Sequence, residues 1–468
     1  MQLAPFQPHR PDVTIAGKGR EPTPHSYARI LMRTPTLAAG VVLVVALVAA
    51  PAPATDEVPA WAYNRDDRMP RDRADHLARL GVLGWHRSGV RGEGVTIAVL
   101  DSGWRGYKDQ IGKSLPTGLL ARSARTDANM EYKDSQHGVL CGEVAHAIAP
   151  GARMLVANWD ADRPESFLDA VRWAKSQGAT IVTCSVVKPS WSDGEGNGPV
   201  HKKLTEILGD GTKPGDVLFF SCAGNTAQRH WAGTFAPGPD GYHRWSDKGP
   251  INGVSPWGTE RVYLEMCWSD PDAKYVVEVI DPTTGLPAPD VTYKERTEPK
   301  SVSARFTPAG YPQQYSVRVK QTAGKAGRFH MNSLYAYLDD CRLAGSIPFP
   351  GDGPEVITVG AIGHDGMRTS YSACGPNSTR PKPDVVAPVP FGTYIRWMPF
   401  SGTSCATPQA AAVAALCWSR HPHWSAAQVR EYVTSRALDL GSRGHDCETG
   451  YGAVCLPPLA PAPRLLVR

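Results

Sequence analysis

The sequence predicts an α/β domain built on a parallel sheet and interrupted by an antiparallel β-sandwich insertion. Three observations carry this. Short, nearly all-apolar runs such as residues 95–100 alternate with helical stretches and short loops, the pattern of a parallel sheet covered on both faces. From residue 231 to residue 345 the pattern changes to alternating or β-branched runs separated by Gly- and Pro-rich turns, with no helix of length. Strand and helix signals then resume at residues 356–361, Val-Ile-Thr-Val-Gly-Ala.

Taken in order, the chain begins with an extension, residues 1–54, that contains an apolar stretch over residues 36–50. Arg33 precedes this stretch and Ala-Pro-Ala-Pro-Ala closes it, the order of a secretory signal, and it is short for a membrane span. The residues before Met32 are polar and Pro-rich, so Met32 is expected to be the true start. Export is expected to remove residues up to about Ala52 or Ala54, giving a secreted or extracytoplasmic protein; an uncleaved signal anchor is the competing reading. Residues 55–79 read as a linker, and residues 80–230 with 346–456 as the α/β domain. Residues 457–468 form a Pro/Ala-rich tail.

Within the α/β domain, the first apolar run ends abruptly at Asp101-Ser102-Gly103, at the carboxyl end of a predicted strand, where open α/β sheets hold their ligands. Gln136-His137-Gly138 opens a helix whose apolar stripe is Leu140, Val144, Ala147 and Ile148. Gly138 and Gly142, one turn apart, allow that helix a close approach to a neighbour. Strands are predicted at residues 154–157, 180–186 and 216–222, and helices over residues 164–177 and around Leu204. The last of these strands ends at Ala223-Gly224-Asn225. Farther on, Gly402-Thr403-Ser404 leads into an alanine-rich helix predicted from Cys405 to Trp418, with Pro408 expected in its first turn. A serine at that position lies beside unpaired backbone N–H groups and the positive end of the helix dipole.

Composition narrows the function classes. The 468-residue chain has a net charge of +5 without any Lys/Arg run interleaved with aromatics, which gives no support to nucleic-acid binding. No pair of CxxC motifs exists for structural zinc among the ten cysteines. Cys447 and Cys455, flanking a Gly-rich turn, are the best disulfide candidate. No cofactor is expected; the loop acids form no EF-hand pattern, and calcium stays open.

Asp101, His137 and Ser404 follow one another in the order Asp, His, Ser, with Asn225 between the last two. This quadruple, with Ala149-Pro150-Gly151-Ala152, Lys382-Pro383-Asp384 and Gly402-Thr403-Ser404-Cys405-Ala406-Thr407-Pro408, resembles the subtilisin-like serine proteases. The resemblance covers residues 80–225 and 346–456 and implies an exported endopeptidase acting on protein or peptide substrates, with no nucleic-acid partner and no stable membrane partner unless the signal stays as an anchor. It assigns Ser404 as nucleophile, His137 as general base, Asp101 as the group that orients His137, and Asn225 as a donor to the oxyanion. It places substrate backbone against Ser185, Val186 and Val187, and along Ala223 and Gly224.

Three departures stand out. Val139 follows His137-Gly138 where the family has threonine, Cys405 follows the nucleophile where methionine is common, and Ser185-Val186-Val187-Lys188 replaces Ser-Leu-Gly-Gly. The interval before residue 80 is also short for the family's folded pro-domain. The alternative from another class is a catalytically silent scaffold that displays the insertion for binding or adhesion. The insertion leaves the domain directly after Asn225, so it is expected to wall one side of the substrate cleft.

Overall fold

The computed structural model describes residues 73–459, apart from residues 248 and 282. The apolar run at residues 36–50, Met32 and most of the tail lie outside the described residues.

Two short helices, α1 (Arg73–Arg79) and α2 (Val82–Arg87), come first. They are followed by β1 (Thr96–Leu100), β2 (Leu120–Ser123), α3 (His137–Ile148), β3 (Arg153–Asn158), α4 (Pro164–Ser176), β4 (Ile181–Cys184), α5 (Pro199–Leu208) and β5 (Leu218–Cys222). Nine antiparallel strands then intervene: β6 (His230–Thr234), β7 (Asn252–Pro256), β8 (Val262–Trp268), β9 (Lys274–Ile280), β10 (Thr292–Thr297), β11 (Lys300–Phe306), β12 (Tyr315–Ala323), β13 (Arg328–Leu334) and β14 (Ala336–Leu338). The chain returns through β15 (Ile357–Ile362), β16 (Val385–Pro388), α6 (Thr403–Arg420) and α7 (Ala426–Ser435).

The seven-stranded sheet has the order β16-β15-β5-β4-β1-β3-β2, and every pair in it is parallel. Strand alternation divides its burial between two cores: Ile97 and Val99 pack with α3 and α6, whereas Ala98 and Leu100 pack with α4 and α5. Helix α6 is buried from Thr403 to Trp418, and its many alanines let it lie between α3 and the sheet. The insertion folds as a five-stranded sheet, β10-β11-β8-β13-β6, and a four-stranded sheet, β14-β7-β12-β9, around a core of its own that includes Trp231, Met266 and Phe329.

Three expectations are corrected. The end of the presumed linker is helical: Arg73 is buried on α1, where its guanidinium pairs with Glu143 of α3, hydrogen-bonds the Gly392 carbonyl and lies 3.9 Å from the Tyr394 ring centre. Cys447 and Cys455 are both free thiols, as are the other eight cysteines, and the Cys455 thiol donates instead to the Arg436 carbonyl at 3.4 Å. Helix α6 starts at Thr403, two residues earlier than expected, which puts Pro408 in the second turn.

A buried charge cluster fixes α5 to the approach to β15. His201 gives one ring nitrogen to Glu355 at 2.6 Å and the other to Asp352 at 3.1 Å, so both nitrogens donate and the ring is an imidazolium. Burial alone would lower its pKa; the two carboxylates outweigh burial and raise it from 6.5 to about 10. A group with a raised folded-state pKa stabilises fully below its unfolded value and loses that contribution as pH rises through the folded value. The stability difference between the parent and His201→Gln, measured by urea unfolding, is therefore expected to shrink as pH rises from 6.5 towards 10. A difference independent of pH across that window contradicts this assignment.

Candidate active site

Strand β1 delivers Asp101 to the carboxyl edge of the sheet, and α3 begins with His137 directly against it. The contact is close because Gly138 has no side chain: a Cβ there would come within 2.8 Å of the Asp101 Cβ and 2.7 Å of the Trp104 ring. His137 Nδ1 lies 2.7 Å from Asp101 Oδ2, while Asp101 Oδ1 accepts the Gly103 N–H at 2.9 Å. Asp101 is wholly buried, which pushes its pKa up; the charge and hydrogen bond of His137 and the Gly103 N–H outweigh that burial and hold it below the usual carboxylate range. An ionised Asp101 accepts the Nδ1 proton, which leaves Nε2 as the ring nitrogen free of that bond. The Phe400 ring packs edge-on against the imidazole, with centroids 5.6 Å apart.

Ser404 arrives on α6, which packs against α3 on the same face of the sheet. Gly402, with φ of 94°, makes the turn into the helix in a region that favours glycine. Ser404 is the second helical residue, so its N–H is among those without an intrahelical acceptor. Pro408 has no N–H for the Ser404 carbonyl, and that carbonyl instead accepts the Ser185 hydroxyl at 3.1 Å and the Cys141 thiol at 3.5 Å. Ser404 Oγ in turn donates to the Ser185 carbonyl at 3.3 Å. The Cys141 thiol, near both the Ser404 carbonyl and Asp101 Oδ2, places the serine in the same buried corner as the Asp101–His137 pair, and rotation about the serine Cα–Cβ bond changes which acceptor the hydroxyl faces.

Asn225 leaves β5 and meets the start of α6. Its Oδ1 accepts both the Thr403 N–H at 3.0 Å and the Thr403 hydroxyl at 2.9 Å. A backbone N–H can only donate, so this fixes which way the amide faces and leaves the NH₂ end directed elsewhere. The arrangement supplies a hydroxyl at a helix start, an imidazole oriented by a buried carboxylate, and a backbone N–H and an amide NH₂ as donors. It can therefore carry out nucleophilic attack on a carbonyl.

Of the residues expected to line a substrate path, Val186 and Val187 face a cavity bordered by Ser102, next to Asp101, by Tyr132, and by Tyr263, Arg305, Leu334 and Tyr335 of the insertion. Ser185, Ala223 and Gly224 lie elsewhere. Ser185 braces Ser404, Ala223 is buried with Ile347 and Ala373, and the Gly224 carbonyl accepts the Ala373 N–H at 3.0 Å.

Sequence reasoning passed over Cys141, one turn after His137. Its thiol is 3.9 Å from Asp101 Oδ2, and potential donor atoms of Asp101, His137 and Cys141 lie within 4.8 Å of one another. Burial first, and the Asp101 charge second, push the thiol pKa well above its usual value. A thiol so reluctant to ionise, beside a carboxylate and an imidazole already bonded to each other, is poorly suited to metal.

Residues 307–452 match the Subtilase family profile. The chain is 39% identical over 104 residues to Subtilisin of Bacillus pumilus, a match covering 21% of this chain and 35% of that protein. Subtilisin E of Bacillus subtilis strain 168 is 38% identical over 104 residues, covering 21% of this chain and 25% of the relative. The chain thus spans about a third or less of the length of these curated relatives. The structure of the Clostridium perfringens CspB protease superposes with a TM-score of 0.56 at 16% identity, covering 81% of this chain and 95% of that one. Over residues 307–452 the chain is thus similar to the subtilase family, and its fold is that of the superposed protease structure.

The Lys188 departure from the family pattern has a physical explanation. Its ammonium pairs at 2.9 Å with Glu265 on β8 of the insertion, a carboxylate with no exposed surface, whose other oxygen accepts the Ser190 N–H at 2.9 Å. The reverse link is Asp162, which precedes α4 and takes a two-pronged bond from Arg305 on β11 at 2.7 and 2.9 Å. Lysine at position 188 thus ties the insertion to the segment that follows β4. Lys188→Met strands a buried carboxylate and should cost about 3–5 kcal/mol in chemical unfolding, most of it recovered by adding Glu265→Gln. A loss below about 1 kcal/mol in the single variant would show that the pair is not a structural tie.

Proposed function

We propose that this protein is an exported serine endopeptidase that cleaves peptide bonds through an acyl-enzyme intermediate. The observation that carries the reading is the buried Asp101–His137 pair set beside Ser404, with Asn225 held by Thr403 so that its NH₂ end is available. A structural scaffold has no need of a buried ionised carboxylate whose side-chain hydrogen-bond partners, among the described residues, are a histidine and a thiol.

In the proposed reaction His137 Nε2 accepts the Ser404 proton as Oγ bonds to the substrate carbonyl carbon, and the carbonyl electron pair moves onto oxygen. The Asn225 amide and the Ser404 N–H stabilise that oxyanion. The electron pair returns, the C–N bond breaks, and His137 gives its proton to the leaving amine. Water, deprotonated by His137, then attacks the acyl ester; the ester C–O bond breaks and Ser404 regains its proton. The insertion is part of the proposal as a wall of the cleft, because Tyr263, Leu334 and Tyr335 border the cavity next to Ser102. Export rests on the signal-like order of the amino-terminal residues. Among the described residues no helix is long and apolar enough to cross a membrane.

Asn225→Ala should lower kcat for a cleaved peptide by about 100- to 1000-fold with little change in KM, since the amide acts on charge that develops in the transition state. A rise in KM with kcat unchanged would reassign Asn225 to substrate binding.

A further inference from the structure

One β-turn beyond Asn225, closed by the Arg229 N–H to the Thr226 carbonyl at 2.9 Å, the chain enters the insertion with an arginine that is 4% exposed. Among the described residues no carboxylate and no hydrogen-bond acceptor reaches its guanidinium, and Nη1 is buried without a partner. The group lies over the Trp257 ring, 4.5 Å from its centre. Stacking recovers part of the cost of removing a cation from water but leaves the N–H donors unsatisfied. Two more unsatisfied donors are close by. Trp257 Nε1 and Ser333 Oγ are also buried without partners. The Ser333 N–H bonds the Arg229 carbonyl at 2.8 Å, and the Trp257 N–H bonds the Tyr335 carbonyl at 3.0 Å.

These donors back onto the cavity wall. Leu334 and Tyr335, which border the cavity, directly follow Ser333. Tyr335 holds a φ of 69°, a conformation a tyrosine adopts only when its surroundings enforce it, and its ring lies 6.2 Å from Trp257 and 6.3 Å from Tyr263. Burial lowers the Arg229 pKa to about 10, and the groups that act against this are two tyrosines, 337 and 335, with no acid among them. The guanidinium remains charged at neutral pH.

We infer that Arg229, with the Trp257 indole N–H and the Ser333 hydroxyl, is a binding site for the carboxylate of an acidic substrate side chain close to the scissile bond. The inference rests on the peptidase reading for the identity of the ligand. The fork of one guanidinium matches one carboxylate, and the absence of a second cation in the cluster disfavours a doubly charged phosphate. The site makes the insertion a determinant of which sequence is cut as well as a wall.

The test uses the full chain carrying Ser404→Ala and equilibrium binding of labelled peptides in which a single Glu or Gln is stepped through the positions flanking the scissile bond. At one position the Glu peptide should bind about 10- to 100-fold more tightly than its Gln twin. Adding Arg229→Gln should abolish that preference while leaving affinity for the Gln peptide within about threefold, and Arg229→Lys should keep part of it. Circular dichroism of each variant checks the fold. Equal affinity for the Glu and Gln peptides at every position in the Arg229 parent overturns the inference without any variant, as does a preference that survives Arg229→Gln. Because binding is read without turnover, a Glu preference in peptides that the Ser404 parent fails to cleave would sustain the anion site and defeat the peptidase reading.

Discussion

A fully buried carboxylate must be paid for, and the geometry of the active site follows from how Asp101 is accommodated. Its two oxygens are taken by the Gly103 N–H and the His137 imidazole, and the Cys141 thiol approaches the second oxygen. Those partners can reach it only because α3 starts against the end of β1, and α3 can start there only because residue 138 is glycine. The same helix carries Glu143, buried and matched by Arg73 from α1, so the segment at α1 is coupled to the position of His137. Burial pushes the Glu143 carboxyl upward, and the Arg73 charge and the Tyr394 N–H only partly oppose it.

Ser404 depends on a second constraint, set by proline. Within α6 the missing N–H of Pro408 leaves the Ser404 carbonyl to Ser185 and Cys141, so three segments meet at one peptide group. Asn225 clasps the preceding residue, Thr403, from the opposite side. The start of α6 is therefore held by side chains from the segments that follow β5 and β4, which fixes Ser404 at the helix terminus.

The parallel sheet and the insertion were legible in the sequence because they depend on local signals, apolar runs and turn glycines, and the same kind of signal, strand ends and helix starts, singles out Asp101, His137, Asn225 and Ser404 as candidates. The helix at residues 73–79 was not, since its burial comes from Arg73 meeting groups far along the chain at Glu143 and Gly392. Strand β2, Leu-Ala-Arg-Ser, is an exposed edge with no apolar run to announce it. Helix α7 did carry a local signal, the capping box of Ser425 and Gln428, that was open to reading. The role of Lys188 was illegible for a different reason: Glu265 is 77 residues away, and nothing in either local sequence pairs them. Arg229 likewise shows its unpaired state only when the strands that enclose it are in place.

The central claim is that Ser404 is a nucleophile activated by His137. Treating the full chain with a fluorophosphonate probe and locating the adduct by mass spectrometry tests it most directly, because the probe reacts with activated serines and spares ordinary ones. The account predicts an adduct on Ser404 in the parent chain and its loss in His137→Ala. An unlabelled parent, or labelling of Ser404 that persists at full rate without His137, would contradict it.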